Sequence, residues 1–111
     1  MREVSKVSEL IGLKLESNLV NAIEEQLKIL DENYGANREV YNDLGGYIVI
    51  VENIVDIAIL KQDKLQGLIP EYTDIIECSE GANWTSSLFL LSSDYAIVVV
   101  CTEELSKFLI E

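Results

Sequence analysis

The sequence predicts an α+β fold: N-terminal helices, an antiparallel meander of about four strands, and a short C-terminal helix. Apolar residues recur at three- and four-residue spacings in the N-terminal third, which is typical of helices. The later part holds short runs of β-branched and aromatic residues between turn residues, which is typical of strands. The length of 111 residues and the apolar share of 49% predict a single domain, 1–111, with a substantial core.

Two helices are predicted before residue 36. Ser5–Ile11 is a short candidate that ends at Gly12. Ser17 precedes a longer helix, for which Gly35 is the expected stop because glycine readily adopts the left-handed conformation. The apolar positions of this longer helix are Leu19, Val20, Ile23, Leu27 and Leu30.

Four strands follow, each bounded by turn residues. Asn42–Gly46 is interpreted as the turn before the first strand. Residues 53–66 are interpreted as either a helix or a hairpin extension, and a helix is favoured. Thr102 is interpreted as the cap of the last helix. The strands are Tyr47–Val51, Tyr72–Glu77, Trp84–Leu91 and Tyr95–Cys101. The first and last are apolar at both sets of alternating positions, which predicts a sheet covered on both faces and makes self-association over an uncovered face a hypothesis.

The charge balance and the lack of histidine exclude more classes of function than any motif does. The chain has 20 acidic residues, 8 basic residues and no histidine, and its net charge is −12. This charge argues against binding to nucleic acid or to an anionic membrane. The lack of histidine removes the usual general base and the commonest metal ligand.

No cofactor, metal or catalytic residue is predicted. Cys78 and Cys101 lack metal-ligand or redox spacing, so both are expected to be inert thiols. The stretch from Asp31 is not an EF-hand loop, because Ala36 and Asn42 stand where glycine and glutamate are required. Ser86 and Ser87 have no base to activate them, and Gly45-Gly46 lacks a phosphate-loop pattern.

One acidic segment is the candidate partner-binding site. Carboxylates recur at every third position without an intervening lysine or arginine, and the single tryptophan follows them. On a strand this spacing alternates the carboxylates between the two faces, so they do not form one row. The alternative is a solvated edge strand whose charges discourage aberrant pairing. The candidate residues are Glu71, Asp74, Glu77, Glu80 and Trp84.

These observations favour a small acidic interaction module that binds a basic surface of another protein, with inhibitors and immunity proteins as physical analogues. The alternatives are an accessory homo-oligomer of bacterial or phage type, such as a homodimer, and, least favoured, an enzyme that uses carboxylates alone.

The absence of a signal-peptide pattern and of a long apolar run predicts a cytoplasmic protein. The passage from Glu9–Leu15 through Asn33–Gly35 resembles the opening of one class of immunity domains, over less than a third of the chain, and we assign no family from it.

Overall fold

Five strands form one mixed sheet in the computed structural model, which describes residues 1–34, 45–79, 81–92 and 95–110. A 3-10 helix, Val7–Leu10, and a π-helical segment, Lys61–Leu65, also lie within these ranges. The α-helices of the described residues are α1 (Ser17–Tyr34), α2 (Ile54–Leu60) and α3 (Glu103–Ile110). The strands are β1 (Arg2–Val4), β2 (Gly45–Ile50), β3 (Tyr72–Ile76), β4 (Trp84–Ser92) and β5 (Tyr95–Thr102). The predicted α+β class is confirmed.

The strand order is β1-β2-β5-β4-β3. β3, β4 and β5 form an antiparallel meander, as predicted. The prediction was wrong for β2, which pairs in parallel with β5, and it missed β1, which pairs antiparallel with β2. The helical connection through α2 accounts for the difference, because such a crossover lets the chain leave β2 and re-enter the sheet in the same direction at β3.

Both faces of the sheet are covered, as the apolar strands predicted. α1 packs on one face, where its residues Leu19, Ile23, Leu27 and Leu30 meet Ile48, Ile50, Val98 and Val100. α2 and α3 pack on the other face, where Ile57, Leu60 and Leu109 meet Tyr47, Val49, Phe89, Ile97 and Val99. Alternate residues of the same strands therefore belong to different cores.

The N-terminal segments agree with the predictions in part. The short helix is a 3-10 helix, Val7–Leu10, and it is followed by Gly12 in the left-handed region, with φ of 89°. The long helix begins at Ser17 as predicted, while Gly35 and residues 42–44 of the predicted turn lie outside the described residues. Gly45 and Gly46 belong to β2 and not to the turn.

Residues 53–66 are helical, as favoured from the sequence. Asn53 is the N-cap of α2: its Oδ1 accepts a hydrogen bond of 2.9 Å from the Asp56 backbone N–H. The Asp56 carboxylate in turn lies 2.8 Å from the N-terminal ammonium group of Met1. α2 is thus fixed at its first turn, and it continues into the π-helical segment, which ends at Gln66 with φ of 41°.

Replacing Asn53 with alanine is expected to lower the free energy of unfolding by about 1 kcal/mol, because the first turn of α2 loses its side-chain acceptor. Urea denaturation followed by circular dichroism measures this loss. Asn53→Ser is the matched control, since serine also caps helices well and should retain most of the stability. Equal stability of the alanine and serine variants would contradict the role of the cap.

Candidate functional site

β3 is an edge strand of the sheet. It pairs with β4 on one side, with Tyr72 opposite Leu88 and Ile76 opposite Trp84, and no strand of the described residues covers its other side. The outer side of an edge strand presents backbone N–H and C=O groups that can pair with another chain. The predicted acidic segment therefore lies along an open edge, which we call the β3 edge (Glu71–Glu77).

Three of the five predicted site residues are exposed along the β3 edge. Glu71 precedes the strand, Asp74 lies at its centre and Glu77 follows it. Asp74 shares a sheet face with Tyr72 and Ile76, so the three carboxylates do not form a single row, as expected from their spacing. Glu71 and Glu77 are separated by about 20 Å of extended chain. Glu80 lies outside the described residues.

Trp84, the fifth predicted residue, is not at the outer side of the β3 edge. It lies in β4, is partly buried and packs against the core on the α1 side. Its antiparallel neighbours are Ile76 of β3 and Thr102 of β5, so Trp84 covers one end of the core. The structure thus brings Glu71, Asp74 and Glu77 to one edge, whereas Trp84 lies in the next strand, β4.

Exposed isoleucines on the β3 edge were missed in the sequence. Ile75, inside the strand, is 61% exposed, and Ile69, just before the segment, is 73% exposed. Isoleucine is normally buried, so large apolar side chains at an open edge are informative. Ile75 fits the strand predicted over Tyr72–Glu77, and only the edge position of β3, which depends on the pairing of distant segments, exposes it, while Ile69 belongs to no predicted element.

α1 holds the β3 edge in place. The Tyr72 hydroxyl donates a 2.8 Å hydrogen bond to Oε1 of Gln26, which is buried. Asn18 Nδ2 donates to the backbone oxygen of Glu77 at 3.3 Å, and the Glu16 carboxylate accepts from the backbone and side chain of Ser79. These bonds tie both ends of β3 to one helix, and a preorganised surface loses less entropy on binding.

The Ser86 and Ser87 hydroxyl groups of β4 are not accessible. Ser86 and Ser87 are 1% and 2% exposed, so neither hydroxyl can meet a substrate. Ser87 Oγ lies 2.9 Å from Thr73 Oγ1, and Thr85 Oγ1 donates to the backbone oxygen of Cys101 at 3.4 Å. These contacts satisfy polar groups inside the sheet.

Both cysteines are free thiols. Burial raises the pKa of Cys101, and burial together with the Glu16 carboxylate raises the pKa of Cys78. A raised pKa keeps a thiol protonated at neutral pH, so neither sulfur is activated as a nucleophile. In the part of the chain that the structure describes, no group of three histidine, cysteine or acidic side chains is arranged to hold a metal ion.

A second exposed apolar surface lies on the other face of the sheet, away from α1. It consists of Ile54, Val55, Ala58 and Ile59 of α2 with Phe108 of α3, and we call it the α2 patch. A groove of about 210 Å³ runs between the two helices. No residue of this surface was a candidate in the sequence, which left residues 53–66 open between a helix and a hairpin extension.

The comparisons with known proteins leave the site to be interpreted on its own geometry. No protein-family model, no curated protein and no solved structure matches the chain. Among the described helices, none combines the length and the apolar character that crossing a bilayer requires.

Proposed function

We propose that this protein is an interaction module that binds a basic surface of another protein through the β3 edge. The observation that supports this function best is the exposure of Ile75 on an open strand edge between the carboxylates of Asp74 and Glu77. The sequence has no lysine or arginine between Lys64 and Lys107, so nothing basic in that stretch neutralises the edge.

The binding would proceed in two stages. The excess negative charge accelerates the encounter with a basic partner, since complementary charge mainly raises the association rate. Ile75 and Ile69 then supply apolar contacts, and the backbone of β3 offers hydrogen bonds to an extended segment of the partner. Such a complex covers a basic surface of the partner, as inhibitors and immunity proteins do.

The same carboxylates disfavour a second copy at this edge. In an antiparallel pairing of two β3 strands, the acidic residues of one copy would face those of the other, and like charges opposite each other are destabilising. The β3 edge is therefore better suited to a basic partner than to self-pairing. The partner-binding interpretation and the edge-protection interpretation of the segment are therefore compatible, because charges that prevent self-pairing also attract a partner of opposite charge.

Capture of the tagged protein from a lysate of its source tests the proposal. We expect a basic protein to remain bound at about 50 mM salt and to be released at about 500 mM, because salt screens contacts between exposed charges. Mass spectrometry identifies the captured protein, and the sequence of that protein gives its isoelectric point. Capture of an acidic protein, or of a partner whose binding does not depend on salt, would contradict the proposal.

A further inference from the structure

Part of the apolar surface of α2 is not covered by the described residues of the chain. Six of its seven residues are apolar, yet only Ile57 and Leu60 are buried. Ile54 is 49% exposed, Val55 64% and Ile59 42%. A surface helix normally has one apolar stripe facing the core, so a second apolar stripe facing outward indicates an interaction surface.

The groove beside α2 has fixed walls. Ile54, Ile57 and Ala58 line one side and Phe108 lines the other. Lys61, the first residue of the π-helical segment that continues α2, donates a 2.8 Å hydrogen bond from Nζ to the backbone oxygen of Phe108, which links this segment to α3 at the groove. Ala58 is small and exposed, so another helix can approach closely at the centre of the patch.

Charge indicates what covers the α2 patch. Residues 54–65 contain two aspartates and two lysines, and α3 adds two glutamates and one lysine, so the segments that form this surface carry a net charge of −1 on a protein of net charge −12. A strongly basic partner would meet Lys61 and Lys64 here, and an anionic lipid surface would be repelled by the whole protein. A second copy meets little repulsion at this face, and the mixed charges around the patch can pair with their counterparts in the second copy.

We infer that two copies of the chain associate through their α2 patches to form a symmetric dimer. Val55 and Ile59 of each copy project from the side of α2 that the groove leaves free, and the groove of the other copy accepts aliphatic side chains of this size. The α2 patch of one copy contacts the α2 patch of the other, so no patch remains free in the dimer and association stops at two copies.

The dimer leaves the β3 edges accessible. α2 packs over Tyr47 and Val49 of β2, and two strands, β5 and β4, separate β2 from β3. Each dimer therefore presents two open edges, and a partner with two basic sites would gain avidity without any new contact. The dimer itself does not depend on the function proposed for the β3 edge.

Sedimentation equilibrium over about 1–100 µM tests the dimer. We expect a mass approaching twice 12.5 kDa at the higher concentrations. Raising the salt from about 50 to 500 mM should strengthen the dimer, because screening reduces repulsion between two acidic copies. Binding at the β3 edge should instead weaken with salt, so the two surfaces respond in opposite directions. A monomer at 100 µM in both buffers would overturn the inference.

Ala58→Lys locates the contact. A lysine at the centre of the α2 patch should weaken the dimer at least about tenfold, because a buried charge without a partner is costly. Lysine forms helices well, so α2 should remain folded, which circular dichroism checks. Asn21→Lys adds the same charge at an exposed position of α1 and should leave the dimer intact. Equal weakening by both substitutions, or by neither, would overturn the assignment of the α2 patch.

Discussion

Replacing Gly46 with alanine is expected to lower the free energy of unfolding by about 2 kcal/mol, because adding volume to a filled core typically costs about 1–3 kcal/mol. A Cβ at Gly46 would lie 2.8 Å from Leu30 Cδ2 and 3.0 Å from Leu30 Cβ. Leu30 is fully buried between α1 and the sheet, so its side chain has little room to move away. Gly46 is not among the glycines with positive φ, so the expected loss of stability comes from steric overlap and not from backbone strain.

A double variant separates steric overlap from other causes. Leu30→Ala alone should cost about 2–5 kcal/mol, as a large-to-small change in a core does. In that background Gly46→Ala no longer meets Cδ2 and meets only the Cβ of residue 30, at 3.0 Å, and it restricts the unfolded chain, so it should cost clearly less than it does beside Leu30. Urea unfolding of the four proteins gives the coupling energy. Additive losses would contradict the close approach of α1 and β2.

The fold class was predictable because its signals are local. The helical spacing of Leu19, Ile23 and Leu30 and the apolar run of β5 each lie within a single element. α2 was harder to predict, since six apolar residues of seven suit either a buried strand or a helix. Asn53 before Ile54 was the available local signal, because asparagine is a favoured N-cap.

The parallel pairing of β2 with β5 was not predictable in the same way. It depends on segments 50 residues apart, such as Tyr47 opposite Ile97, and nothing within either segment specifies the direction of its neighbour. β1 is three residues long and has no period to detect. It becomes a strand because β2 offers it an edge, and its position is given by the pairing of Arg2 with Ile50 and of Val4 with Ile48.

The candidate site was predictable in its charge and not in its shape. The spacing of Glu71, Asp74 and Glu77 could be read directly, and so could their alternation across the strand. The open side of β3 and the exposure of Ile75 depend on the order of the whole sheet. Trp84 begins β4 as predicted, and only its pairing with β3 and β5 shows that it lies away from the open side of β3.

Reversing the charge of the β3 edge is expected to weaken binding of a basic partner by about a hundredfold. The variant is Glu71→Lys, Asp74→Lys and Glu77→Lys in one chain. Exposed charge pairs contribute about 0.2–1 kcal/mol each, and reversal replaces attraction by repulsion at three positions. All three residues are exposed, so the fold should tolerate the change, and Trp84 fluorescence verifies that it does.

A matched control separates the β3 edge from the charge of the whole protein. Glu24→Lys, Glu32→Lys and Glu52→Lys in one chain also adds two charges at each of three exposed positions, which moves the net charge from −12 to −6. Long-range steering should fall equally in both variants, so their association rates should drop together. Only the β3 variant should also dissociate faster, because it alone loses contacts made in the complex. If both variants showed the same dissociation rate, the partner would be responding to overall charge, and the β3 edge would not be its binding site.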